Sequence, residues 1–252
     1  MRYNLFFRQD GSAPMTDFPP CLPHGELREV LPDIFFVTGQ VRPDFNGQQF
    51  QFSRNMTVVR DGDELTLLNT LRLNDEELTR LEALGRVVNL VKLGAFHGRD
   101  DAFYIDRYGA KLWALPGMPH ERGVTTDVEL VPGQPGPCAG SSVFSFETSS
   151  SPEAVLVLER EGGIVVSCDS LHNWSGPDQY FDETSAVMMK NGGFFHPANI
   201  GPGWLRGSKP QASDFSRLRE LSYRHLLSAH GEPLHDRARE AVNETIDRVF
   251  GA

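Results

Sequence analysis

The chain has 252 residues, of which 39% are hydrophobic and 23% charged, enough for one large α/β domain with a sizeable core. Its 24 Lys and Arg against 34 Asp and Glu leave a formal charge of −10, which opposes binding to nucleic acid or to an anionic membrane. Cys21, Cys138 and Cys168 are scattered and build no disulfide framework. With no apolar run long enough for a membrane span or a secretion signal, a cytoplasmic location is expected.

The first 30 residues are expected as an irregular lead-in, with Pro, Gly and Asp concentrated over 9–24. Ile34–Thr38 is a short β-type run. Asn55–Arg60 and Glu64–Asn69 flank Asp61-Gly62-Asp63, and Asp-Gly between two such runs signals a hairpin. A helix follows: Asn74 caps it, Glu77 completes a capping box, Leu78, Leu81 and Leu84 form its buried stripe, and Gly85 stops it. Val87–Leu93 is then a mostly apolar strand of the kind buried inside a sheet.

Lys111–Leu115, Val128–Val131, Val143–Phe146, Ala154–Leu158 and Gly163–Cys168 read as further strands. Residues 175–212, rich in Gly, Pro, Asn and Ser, read as a loop-rich insertion with a short helix near Thr184–Lys190. Asp214 is expected to cap a helix through Leu221, Arg224–Ser228 to form a strand, and Leu234–Phe250 to form a terminal helix. Residues 1–252 are read as a single domain, with no internal repeat or linker.

Chemistry-bearing residues fall at strand ends, where α/β sheets gather their sites. The strand Leu65–Leu68 ends in Asn69. Val87–Leu93 leads into Gly94-Ala95-Phe96-His97-Gly98-Arg99-Asp100-Asp101-Ala102. A Gly/Pro-rich turn carries Cys138 ahead of Val143. Gly163–Cys168 delivers Asp169, and Leu226–Ser228 ends at His230-Gly231.

Taken in order over residues 33–249, these segments resemble the metallo-β-lactamase superfamily, whose strand-then-loop signature is His-x-His-x-Asp-His. His97 and Asp101 match it; Arg99 and Ala102 stand where two histidines belong, Asn69 stands where Asp is usual, and the third segment offers Cys138 but no histidine. Asp169 resembles the strand-end Asp that bridges two metals, and His230 the last ligand. The resemblance implies a four-layer αβ/βα sandwich and a metal-dependent hydrolase with an altered, at most mononuclear site. Its substrate would be an ester, lactone or amide of a small molecule.

The implied ligands are His97, Asp101, Asp169 and His230, a set suited to one Zn²⁺ or Fe²⁺ ion. Asp101 or Asp169 is the candidate general base, and Arg99 or Tyr104 the candidate oxyanion stabiliser. Arg99, His172, Trp174 and His196 are the candidate pocket residues. Arg99 has two further readings: an ion pair with Asp100, or the anchor of an anionic ligand in a catalytically silent relative that holds no metal. The expected partner is a small molecule in either case; the sequence does not specify an oligomeric state.

Overall fold

The computed structural model describes residues 18–45 and 47–251, so residues 1–17 of the expected lead-in lie outside the described residues. Two strands, β1 (Arg28–Leu31) and β2 (Ile34–Val41), pair antiparallel, and the minor hairpin β3 (Asp44–Phe45) and β4 (Gln48–Gln49) follows. β5 (Phe52–Asp61) and β6 (Glu64–Leu68) form the hairpin expected from Asp61-Gly62-Asp63, with Gly62 at φ 63°.

The chain then alternates: α1 (Asp75–Leu84), β7 (Arg86–Lys92), α2 (Asp101–Tyr108), β8 (Lys111–Ala114) and β9 (Val128–Glu129). β6, β7, β8 and β9 are parallel neighbours, joined by helical crossovers up to β8 and by a loop from β8 to β9, and complete a seven-stranded sheet in the order β1-β2-β5-β6-β7-β8-β9. Asn74 caps α1 by accepting from the Glu77 amide at 2.9 Å. Only half of the expected capping box forms. The Glu77 carboxylate turns instead to the Leu27 amide, and the Asn74 amide donates to His24 Nε2.

The second sheet holds β10 (Ser141–Ser145), β11 (Ala154–Leu158) and β12 (Ile164–Ser167), and is completed late in the chain. Between lie β13 (Leu171–His172), α3 (Glu183–Asn191), β14 (Asn199–Ile200), α4 (Pro202–Ser208) and α5 (Ala212–Arg219). The segment expected as loop-rich therefore carries two helices and a strand that pairs back onto β13. β15 (His225–Ser228) then joins β12 in parallel, and α6 (Ala238–Phe250) ends the fold.

Asp214 is inside α5 rather than its cap: its carboxylate accepts from the Glu147 and Thr148 amides and ties the helix to the end of β10. α6 starts later than expected because Leu234 is bonded in both directions to Leu226.

Side-chain alternation makes the layers. Ile34 and Phe36 of β2 meet Leu156, Leu158, Ile164, Val166 and Leu227 of the second sheet in the central core. Phe35 and Val37, on the opposite face, pack under α1 and α2 with Leu78, Leu81 and Tyr104. Val155, Val165 and Leu226, on the outer face of the second sheet, pack under Trp204, Phe215, Leu218 and Val242 of the later helices. Helices, sheet, sheet, helices: this is the four-layer αβ/βα sandwich. No helix among the described residues is long and apolar enough to cross a membrane.

Candidate metal centre

The carboxyl ends of β7, β12 and β15 point to one place. His97 follows β7, Asp169 follows β12, and His230 follows β15. His97 Nε2 and His230 Nε2 stand 3.2 Å apart, and Asp169 Oδ1 is 3.5 Å from the first and 3.1 Å from the second. Donors held about 2.0–2.1 Å from a tetrahedral ion stand about 3.3 Å from one another. The three side chains already have that spacing. They come from parts of the chain as far apart as 133 residues.

Backbone links between the layers hold them there. Asn69, at the end of β6, takes the left-handed conformation at φ 56° and donates to the Ser167 carbonyl at 2.9 Å, tying the two sheets together just before Asp169. Asn55 donates to the Ser228 and Gly231 carbonyls, on either side of His230. Gly231 sits at φ 92° against Asn173, where a Cβ would fall 2.1 Å from the Asn173 carbonyl carbon. Glu153 accepts from the Ser170 amide at 2.7 Å and braces the turn that carries Asp169. Glu153 is a site residue the sequence reading missed; it precedes β11 after a Ser-Pro pair and has no motif to mark it.

Protonation states favour a cation. Burial pushes His97 down to about 4, so its imidazole is neutral and has a lone pair free at neutral pH. Burial also holds His172 well below the usual histidine range. Burial alone would raise Asp169, but His97 and His230 beside it outweigh that and keep it ionised. The result is one carboxylate beside the neutral rings of His97 and His172. The Nδ1 atoms of His97 and His230 find no hydrogen-bond partner among the described residues. Packing fixes His230 instead, against Phe52, Trp174 and His172.

The structure does not bring the other half of the expected motif to this cluster. Asp101 is the first residue of α2, a helix not anticipated from the sequence, and its Oδ1 accepts from the Thr70 hydroxyl at 2.5 Å. Burial outweighs that bond and the nearby Lys92 and Arg54, so the Asp101 carboxyl is raised. Arg99 donates to Asp100 Oδ1 at 2.6 Å and to the Pro20 carbonyl at 2.8 Å. Asp100 also receives Arg54, at 3.1 Å, and the Arg72 amide, so the structural ion-pair reading of Arg99 describes its geometry. Tyr104 is fully buried under α2, its hydroxyl bonded to the Leu71 carbonyl and the Leu73 amide, and it reaches no cavity. Cys138 lies in the central core, where burial raises its thiol to about 12.

A cavity of about 490 Å³ opens above Asp169, His172 and His230. Phe52, Phe96, Trp174, Phe194 and Trp204 wall it, and Arg206 stands at its edge as a cation. His172 and Trp174 line this cavity; Arg99 and His196 do not. His172 is nearly sealed from solvent, with both ring nitrogens unpartnered among the described residues.

No family model matches the chain, and no curated relative does. Solved structures do. The metallo-β-lactamase DIM-1, in a crystal exposed to ceftazidime, aligns with a TM-score of 0.59 at 14% identity, over 90% of this chain and 98% of its own. FIM-1 from Pseudomonas aeruginosa, in a mono-zinc form, gives 0.57 at 14% identity over 91% and 97%. A metallo-β-lactamase from Erythrobacter litoralis gives 0.54 at 13% identity over 90% and 95%. The likeness is one of fold, and it covers nearly the whole of each chain.

Proposed function

We propose that this chain, which has the metallo-β-lactamase fold, is a mononuclear metal-dependent hydrolase acting on an ester, lactone or amide of a small, largely apolar molecule. The observation that carries this reading is the mutual spacing of His97, Asp169 and His230, 3.1–3.5 Å between donors on three strand ends. Two imidazole nitrogens and one carboxylate suit Zn²⁺ or Fe²⁺. When bound, such an ion lowers the pKa of a water and polarises a carbonyl.

The chain's own residues supply the remainder. Among the described residues Asp169 is the only carboxylate lining the cavity, so it is the group placed to accept a proton there. The aromatic walls favour an apolar acyl or aryl group and keep bulk water from the carboxylate. Arg99 and Tyr104, candidates for oxyanion stabilisation, are occupied elsewhere and take no part.

The alternative, a metal-free relative that binds an anion through Arg99, finds little support, because that guanidinium is engaged by Asp100 and Pro20. Elemental mass spectrometry on protein purified without chelator tests the reading. We expect about one equivalent of zinc or iron per chain. In Asp169→Asn and His230→Ala, metal content and melting temperature should fall together, since an ion that binds only the folded state at about a hundredfold excess over its Kd stabilises by about 2.7 kcal/mol. No metal in the wild type, even after zinc is added back, would refute it.

A further inference from the structure

We propose that His172 is a fourth metal ligand, one that β13 supplies in place of the histidines missing at positions 99 and 102; an ion so held would take its water as a fifth ligand. The ligating atoms of Asp169, His172 and His230 all lie within 4.8 Å of one another, so His172 shares two donors with the cluster formed by His97, Asp169 and His230. Its ring is 4.6 Å from that of His230, centroid to centroid.

The second observation concerns satisfaction. His172 is 3% exposed, yet neither ring nitrogen has a hydrogen-bond partner among the described residues. A buried imidazole normally donates one N–H and accepts at the other nitrogen. An aromatic residue would fill this position without leaving two polar atoms unpaired. A ligand that takes a nitrogen lone pair removes half of the deficit.

The chain also makes room for this ring. Gly201 faces it: a Cβ there would stand 2.8 Å from His172 Nε2 and 1.9 Å from the Asp169 carbonyl oxygen. Pairing of Leu171 with Ile200 and of His172 with Asn199 fixes the backbone. Trp174 packs edge-on against the ring, and Phe194 stacks on it at 26°. The orientation is set before any ion arrives, as a ligand's should be.

This inference rests on the cluster being a metal site, so the experiment separates the two. Zinc affinity is measured by competition with a chelating dye, and Co²⁺-substituted protein gives a visible absorption spectrum that reports ligand number. Wild type and His97→Ala are the references. His172→Ala should bind zinc at least about tenfold to a hundredfold more weakly, with a changed Co²⁺ spectrum that added imidazole partly restores. Because His172→Ala could fail to fold, long-range ¹H–¹⁵N spectra of the wild type are recorded with and without zinc; the His172 ring nitrogens should shift on loading.

If wild type binds zinc, His97→Ala loses it, and His172→Ala keeps both affinity and spectrum, His172 is not a ligand. Unshifted His172 nitrogens in zinc-loaded wild type overturn the assignment equally. A wild type that binds no zinc instead defeats the metal reading itself, and this assignment with it.

Discussion

Asp100 and Arg99 are adjacent in the loop that carries His97, and the structure gives them very different weights. Asp100 is fully buried and holds three donors: the Arg54 guanidinium at 3.1 Å, the Arg99 guanidinium at 2.6 Å and the Arg72 amide at 3.1 Å. The Arg54 side chain is 6% exposed and, among the described residues, has no other carboxylate within ion-pair distance. Asp100→Asn keeps the shape but leaves that guanidinium, still donating to the Thr70 carbonyl, without its buried counter-charge. Breaking a buried pair in this way costs about 3–5 kcal/mol, which for a domain of this size lowers the melting temperature by about 6–20 °C. Arg99 is a quarter exposed and leaves Asp100 still paired when removed. Arg99→Ala should cost about 1 kcal/mol after solvent screening, or about 2–4 °C. Thermal unfolding of metal-free protein at neutral pH, followed by circular dichroism, measures both. Equal losses in the two variants, or an Asp100→Asn protein that melts within about 2 °C of wild type, would refute the assignment of Asp100 as the pivot of the loop.

Three further outcomes follow from the same geometry. His97 titrates near 4 in the folded protein against 6.5 in the unfolded chain, so the unfolded state binds more protons between those values. The metal-free protein should therefore hold its full stability above about pH 6.5 and lose about 3 kcal/mol through His97 as the pH falls to about 4, with the depressed His172 adding to the loss, while His97→Asn should make that part of the profile less steep; a wild-type profile level from pH 7 to 4.5 would contradict it. Gly231→Ala puts a Cβ 2.1 Å from the Asn173 carbonyl carbon at a φ of 92°, and should lower both metal affinity and melting temperature by displacing His230. Asp101→Asn should leave metal stoichiometry unchanged by elemental analysis, because Asp101 is bonded to Thr70 and lies outside the cluster.

The inner strands were legible in the sequence because strands such as β6, β11 and β12 are buried on both faces and read as apolar runs between turn residues, whereas the exposed β1, β3 and β4 carry no such run. Ala154–Leu158 is found with its bounds unchanged, and His97, Asp169 and His230 are visible because each follows such a run. What the linear pattern hides is direction. Spacing alone makes Arg99 and Asp101 look like site residues. The start of α2 at Asp101, which carries no apolar periodicity strong enough to announce it, turns one to Asp100 and the other to Thr70. His172 reads as a loop histidine until β14 returns to pair with β13, a contact between residues with no local signal for it. Glu153 is hidden for the same reason: its importance lies in the Ser170 amide it receives across the sheet.

The distribution of charge supports the proposal of one ion rather than two. Around Asp100 and Asp101 the chain supplies its own cations. Arg54 and Arg99 pair with the first, while Lys92 Nζ and Asp101 Oδ2 crowd Gly98, where a Cβ would stand 2.7 Å from one and 2.8 Å from the other. Both carboxylates there are compensated by fixed positive side chains, and a second divalent ion would have to approach those same side chains through a low-dielectric interior, where repulsion is strong. Asp169 differs. Among the described residues it forms no ion pair with Lys or Arg, and its neighbours His97 and His172 are held neutral by burial. A part-buried carboxylate beside the uncharged rings of His97 and His172 is a place in this site where adding a cation relieves an electrostatic deficit rather than creating one.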